Sequence, residues 1–324
     1  MNIFYDFSTN PYGLAPMAGV TDKAMRLLCR KYGCGLQYTE MVSAKALLYD
    51  NKKTYELFDL TDEEAPIIVQ LFGSEPEVMA EGAKLAVAKG AKALDVNMGC
   101  PVPKVANHGE GSGLLKTPEV AWDIIRAMTK AVDVPVTVKI RIGWDAIDPH
   151  ITDFAKGLEA AGAALLAVHG RTRAQYYSGE ANWQVIGDVV KAVDIPVLAN
   201  GDVVDVASAR GILEATGAKG VLIGRGALGN PWLFEALLAD WQGKALPEVK
   251  KFEEKAQVML EHATLACKYK GESIAMREMR KQIGWYVKGL PHAAEWRRAS
   301  STLNTLEDLR ALLSTGGHLQ DKHA

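Results

Sequence analysis

Short runs of Val, Ile and Leu alternate, over the first two-thirds of the chain, with longer stretches whose apolar positions recur at helical spacing. The runs predict strands at Gly13–Met17, Leu36–Met41, Ile67–Leu71, Ala93–Asn97, Val136–Ile140, Leu165–His169, Val197–Asn200 and Val221–Gly224. Each precedes a helical stretch such as Glu77–Ala88, Pro118–Ala131 or Ala207–Ala215. Near-continuous apolar strands alternating with helices predict a parallel sheet covered on its outside. Eight such units in about 240 residues predict an α/β fold, a closed (β/α)8 TIM barrel.

An internal echo supports equivalent modules. Lys130-Ala131-Val132-Asp133-Val134-Pro135-Val136 returns as Lys191-Ala192-Val193-Asp194-Ile195-Pro196-Val197, each copy joining a helix end to a strand start. An open doubly wound sheet is the alternative, but the first strand lacks a G-x-G-x-x-G turn. After Asn230 the strand signals stop, and Pro231–Leu313 reads as helices with charged faces. The expected organisation is a barrel over residues 1–240, a small all-helical domain over 246–313, and a frayed polar tail over 314–324.

Composition adds bounds. With 324 residues, 48% hydrophobic, 23% charged and a net charge of -2, the chain has material for a full core and no strong basic excess. No run of about eighteen apolar residues occurs, so no membrane span is expected. Met1–Pro11 lacks a basic and apolar leader pattern, and Cys29, Cys34, Cys100 and Cys267 follow neither a disulfide framework nor a paired metal motif. A reducing cytoplasm, no metal and a monomer are the expectations.

Candidate chemistry lies where such barrels carry it, at the C-terminal ends of the strands. Asp95-Val96-Asn97-Met98-Gly99-Cys100-Pro101 fixes one cysteine in a Gly/Pro turn just past a strand. A lone cysteine is more often a buried core thiol, and the other strand ends decide. They carry Pro16-Met17-Ala18, Gln70, Asn97, Lys139, Arg141, His169, Arg171, Arg173, Asn200-Gly201-Asp202 and Gly224-Arg225. Polar groups at so many strand ends cost too much desolvation to be accidents of packing. The two glycine loops stand where this fold usually holds phosphate, with Arg225 adding charge. Gln70 offers a donor and an acceptor to an amide-like ring edge, and Lys139 suits negative charge developing on a flavin. The residues alone point to a phosphate-bearing, flavin-dependent barrel.

Leu14-Ala15-Pro16-Met17-Ala18-Gly19, Thr39-Glu40-Met41, Val69-Gln70-Leu71-Phe72-Gly73, Asn97-Met98-Gly99-Cys100-Pro101, Lys139-Ile140-Arg141, His169-Gly170-Arg171-Thr172-Arg173, Asn200-Gly201-Asp202 and Ile223-Gly224-Arg225 together resemble the signature run of the tRNA-dihydrouridine synthases, most similarly the bacterial B-type branch. The resemblance implies FMN- and NADPH-dependent reduction of a tRNA uridine, with hydride reaching C6 and Cys100 donating a proton to C5. It implies FMN contacts at Pro16, Met17, Ala18, Gln70, Lys139, His169, Asn200, Gly201, Asp202, Gly224 and Arg225. Asn97 would face the uracil, and Arg141, Arg171, Arg173, Arg280 and Lys281 would meet RNA. Glu110 and Gly113 depart from the small or alanine-like residues expected in a flexible loop closing over substrate. Two rivals stand beside this reading: a flavin barrel reducing a free pyrimidine or an enone, and a catalytically silent RNA-binding barrel. The basic residues Arg277, Arg280, Lys281, Lys288, Arg297 and Arg298 of the helical region argue against the first. The intact Cys100, Lys139 and His169 argue against the second.

Overall fold

The structure, a computed structural model, describes residues 5–49 and 66–320 together with 54, 57, 59 and 60. Its strands are β1 (Tyr12–Leu14), β2 (Gln37–Tyr38), β3 (Val42–Ser43), β4 (Ile67–Phe72), β5 (Leu94–Met98), β6 (Val136–Arg141), β7 (Leu166–His169), β8 (Val197–Asn200) and β9 (Gly220–Ile223). All the pairings are parallel, and β1 bonds to both β2 and β9 while β2 bonds onward to β4. The sheet therefore closes into the expected eight-stranded barrel, with β3 a short addition on the end of β4.

The expected strand Leu36–Met41 is interrupted. The Thr39 hydroxyl takes the Gln70 N–H at 3.0 Å in place of a ladder carbonyl. Pairing resumes only at Val42, opposite Leu71.

The helices between the strands obey their local signals. Among them are α1 (Lys23–Lys31), α2 (Ala44–Leu48), α3 (Pro76–Ala88), α4 (Pro103–Ala106), α5 (Pro118–Ala131), α6 (Ile151–Ala160), α7 (Trp183–Ala192) and α8 (Val206–Thr216). Proline opens α3 and α5, where a missing N–H costs nothing. A reciprocal Asp205–Ser208 cap starts α8, and Gly217 at φ 68° ends it in the left-handed region. The two echoed segments leave α5 and α7 through extended Val132 and Val193 and feed β6 and β8.

The described residues fall into two compact units, divided differently from the expected domains. The barrel unit lies within Met1–Asp22 and Cys34–Arg225, so it ends before residue 240. The helical unit takes Lys23–Gly33 and everything from Gly226 onward, hence α1 as well as α9 (Leu233–Trp241). Its other helices are α10 (Phe252–Lys270), α11 (Glu272–Tyr286), α12 (Ala293–Ser300) and α13 (Leu306–Gln320). Leu28, Met259, Met276, Met279, Ile283, Trp296 and Leu309 form its core, and Lys31 reaches Glu261 at 2.7 Å. Helix α13 continues to Gln320 through the stretch expected to fray from 314, since Leu309, Leu312 and Leu313 pack on that core. Residues 321–324 lie outside the described residues. Among the described residues no helix is long and apolar enough to cross a membrane, and no cluster of His, Cys, Asp or Glu is placed to hold a metal.

Candidate active site

Strand register assembles the site. In a strand, alternate residues share a face, so Asp95 and Asn97 of β5 point together, as do Thr137, Lys139 and Arg141 of β6. Register sets Gln70 beside Asp95 and Asp95 beside Thr137; one step up it sets Asn97 beside Lys139, and above that Arg141 beside His169 and His169 beside Asn200.

The lower side chains form a directed hydrogen-bond chain. Thr137 Oγ1 donates to Asp95 Oδ1 at 2.6 Å, and Gln70 Nε2 donates to Asp95 Oδ2 at 2.7 Å. Asn97 Nδ2 donates to Gln70 Oε1 at 2.8 Å, and Asn97 Oδ1 accepts the N–H groups of Gly99 and Cys100 at 3.1 and 2.8 Å. Asp95 is fully buried; desolvation pushes it up to about 6, against the opposing pull of Thr137, Gln70 and Lys139.

The next tier is cationic. Lys139, 9% exposed, donates to Asn200 Oδ1 at 3.1 Å, and Asn200 Nδ2 in turn holds the Leu222 carbonyl at 2.7 Å. Burial brings Lys139 down to about 8, with Arg141 adding repulsion and Asp95 countering it. Burial, then the charges of Lys139 and three arginines, holds His169 well below its ordinary range, so it is neutral at pH 7.

Arg141 and Arg171, expected to meet RNA, are instead buried braces at 3% and 2% exposure. Arg141 donates to the carbonyls of Gly99, Thr172 and Tyr176 at 2.8–2.9 Å, tying the cysteine turn to the loop after β7. Arg171 donates to Ser178 and Gly179 and meets the Asp202 carboxylate at 2.8 Å, leaving its buried Nη1 without a partner. Asp202 also accepts from Ala181 N–H and from the exposed Arg225. Arg173 is half-buried, with its guanidinium 4.6 Å from the Trp144 ring centre; Lys116 approaches the same ring at 4.5 Å.

Cys100 is partly exposed, and burial raises its thiol pKa above the usual value, so it carries its proton at neutral pH. Its carbonyl accepts both the N–H and the hydroxyl of Ser112, in the 3-10 helix Gly111–Lys116. Of the segment Val105–Leu115, expected to be a flexible loop, Gly111–Leu115 is thus helical and buried. Gly113 has a steric reason, since a Cβ there would lie 2.5 Å from the Ala106 carbonyl oxygen. Glu110 is half-buried and desolvation raises its pKa.

Pro16 and Met17 are half-buried and Ala18 exposed, in a turn closed by Val20 and Thr21 N–H on the Met17 carbonyl. A Cβ on Gly224 would contact Met17 Sδ at 3.6 Å, whereas one on Gly201 would collide with Ala181 at 2.5 Å. At the loops after β7, β8 and β9 a cavity of about 550 Å³ is lined by Arg171, Tyr177, Trp183, Asp202 and Arg225 among others. In the helical unit, Arg280 is committed to the Leu303 carbonyl and Asn304, while Lys281 is exposed beside Trp285.

Sequence reasoning assigned no role to Asp95, Thr137, Trp144, Lys116, Tyr177 or Trp183. The two-residue period would have reached Asp95 from Asn97 and Thr137 from Lys139. Trp144 and Tyr177 sit in loops, Lys116 ends a 3-10 helix and Trp183 opens α7, positions where periodicity is silent.

A closed parallel barrel whose polar and cationic side chains and partly exposed thiol gather at the C-terminal ends of its strands has the layout of a barrel enzyme. The dihydrouridine synthase (Dus) family matches residues 13–320, and the chain belongs to that family. It is 44% identical over 302 residues to tRNA-dihydrouridine synthase B of Pseudomonas syringae pv. tomato, covering 92% of this chain and 88% of the relative. A probable tRNA-dihydrouridine synthase of Rickettsia bellii is 42% identical over 295 residues, 90% of each chain. Among solved structures, a 2-naphthoyl-CoA reductase complex shares the fold at TM-score 0.55 and 12% identity over 72% of this chain and 50% of that one. Histamine dehydrogenase from Rhizobium sp. 4-9 does so at 0.56 and 11%, over 82% and 51%. The chain spans about half the length of those two solved proteins.

Proposed function

We propose that this protein reduces uridines of tRNA to 5,6-dihydrouridine, using FMN and NADPH, with Cys100 as the proton donor to C5. The observation that carries the reading is the Cys100 thiol, kept protonated by burial and held at the mouth of a cationic barrel.

The residues present fit FMN. Lys139 and Arg171 are buried cations with donor capacity left over, Arg171 Nη1 having no partner. Gly224 leaves a cradle that a Cβ would fill, its nearest neighbour being Met17 Sδ at 3.6 Å. Gln70, Asn200, Asp202, Gly224, Arg225, His169 and the Pro16-Met17-Ala18 turn would complete its contacts. When bound, FMN supplies the electron pair delivered to uracil C6, renewed from NADPH.

The chain's own groups do the rest. Lys139 offsets negative charge gathering beside it, and neutral His169 adds none of its own. Asn97, its amide committed to Gln70 and to the Gly99 and Cys100 N–H groups, holds the Cys100 turn where the uracil edge would lie. Cys100 holds the proton and releases it as C5 gains negative charge, which needs a protonated thiol rather than a thiolate. A tRNA uridine reaches this depth only by leaving its stack. Lys116 and Arg173 on Trp144 offer the flipped strand an aromatic and cationic rim.

The test is mass spectrometry of nucleosides from unmodified tRNA incubated with the protein, FMN and NADPH. Uridine should gain two hydrogens, and Cys100→Ala should slow that gain by roughly 10²-fold while leaving NADPH oxidation intact. NADPH oxidation without any product on tRNA would favour a small-molecule flavin reductase.

A further inference from the structure

The hydrogen-bond chain from Thr137 to Cys100 begins with two fully buried members, Thr137 and Asp95, of which Asp95 is the one ionisable group. Asp95 is fully buried on β5, beneath Asn97. An ionised carboxylate can only accept. It therefore forces Gln70 to turn Nε2 inward, which leaves Oε1 as the atom facing Asn97. Asn97 must answer with Nδ2, so its Oδ1 is left to receive the N–H groups of Gly99 and Cys100. Reversing any one amide would set donor against donor at the next junction, at a cost of about 1–3 kcal/mol per unmade buried bond.

We infer that Asp95 is a positioning residue: it fixes the donor–acceptor sense of the Gln70–Asn97 amide pair and through it the placement of the Cys100 turn. The inference deepens the proton-donor reading of Cys100 and rests on it for its link to catalysis. The groups facing Asp95 are Gln70 on β4, Thr137 and Lys139 on β6, and the buried Tyr38 on β2, whose phenol Asp95 raises further after desolvation. Lys139 supplies the compensating positive charge, and the Thr137 hydroxyl can serve either Asp95 or the Leu94 carbonyl.

The chain's sense can be broken and rebuilt. Gln70→Glu sets two carboxyl groups against each other, and they keep the original sense only while sharing one proton. Adding Asp95→Asn restores it without that proton. The introduced amide would accept from Thr137 and donate to the introduced carboxylate, whose second oxygen accepts from Asn97. Dihydrouridine formation on unmodified tRNA and NADPH-driven flavin reduction without tRNA would be followed across pH 6–9 in wild type, Gln70→Glu and Gln70→Glu/Asp95→Asn, with melting curves for each.

Gln70→Glu should lose dihydrouridine formation by roughly tenfold or more as pH rises, relative to its own flavin reduction. The double variant, again relative to its own flavin reduction, should recover to within about threefold of the wild-type ratio and lose that pH dependence. Equal impairment of single and double variants, or a single variant indistinguishable from wild type at pH 9, would overturn the inference. Absence of product in the wild type would sink the synthase reading instead. The pH profile of Cys100 alkylation by iodoacetamide then decides on Asp95: displaced in the single variant and restored in the double if it positions the turn, unchanged in both if it does not.

Discussion

Replacing Arg141 with methionine separates two roles that one charge could play. In the structure its guanidinium holds three carbonyls, of which that of Tyr176 belongs to an exposed residue and can turn to water. The bonds to Gly99 and Thr172 remain, each worth about 1.5–3 kcal/mol as charge-assisted bonds. Relief of burying the guanidinium, which already lowers its pKa to about 10, returns part of this. A net loss of about 2–4 kcal/mol follows, which for a chain of this size lowers the Tm by roughly 3–6 °C. Because Gly99 precedes Cys100, dihydrouridine formation should fall by roughly tenfold or more while NADPH-driven flavin reduction persists. Arg141→Lys should rescue little, since one ammonium cannot span carbonyls on two loops. The decisive assay is tRNA binding against salt. A buried brace leaves the slope of log K against log salt unchanged, whereas a phosphate contact would flatten it by about one. A flattened slope with an unchanged melting curve would refute the brace.

Two further outcomes follow from the same geometry. Lys116→Ala and Arg173→Ala should each flatten that salt slope by roughly one unit and weaken all tRNAs alike; unchanged slopes would remove the Trp144 rim from the RNA path. His169 is held neutral well below its ordinary 6.5, so the unfolded chain takes up the extra proton first and stability falls as pH drops through about 6.5. Asp95 works in the opposite sense, its contribution still fading as pH rises through about 6, so the histidine is isolated by comparing wild type with His169→Gln over pH 6–7.5. Urea midpoints over that range should fall on acidification more in wild type than in His169→Gln, and parallel curves would show that His169 does not carry the effect.

The barrel was legible because parallel strands covered on both faces announce themselves as apolar runs, and the echoed segments repeat one helix-to-strand joint. Strand ends then named most of the polar residues gathered at one face of the barrel, because strand direction alone sends them there. What sequence could not reach was pairing at a distance. Whether Arg141 meets phosphate or the carbonyls of Gly99 and Thr172 depends on loops 42 and 31 residues away. Asp95 hid for a related reason: within an apolar run a lone carboxylate reads as a surface position until a neighbouring strand supplies Gln70. The unit boundary was hidden too, because nothing in α1 itself says which core takes Leu28.

That last feature sets a timetable for synthesis. Lys31 and Glu261 stand 230 residues apart along the chain, yet they meet within one compact unit. At about 5–20 residues per second, α1 leaves the ribosome roughly 10–45 s before its partner helix exists. Until then its apolar stripe lacks its native cover within its own unit, and a chain stopped after the barrel never gains it. Nascent chains stalled near residue 225 should therefore be the ones that chaperones hold longest.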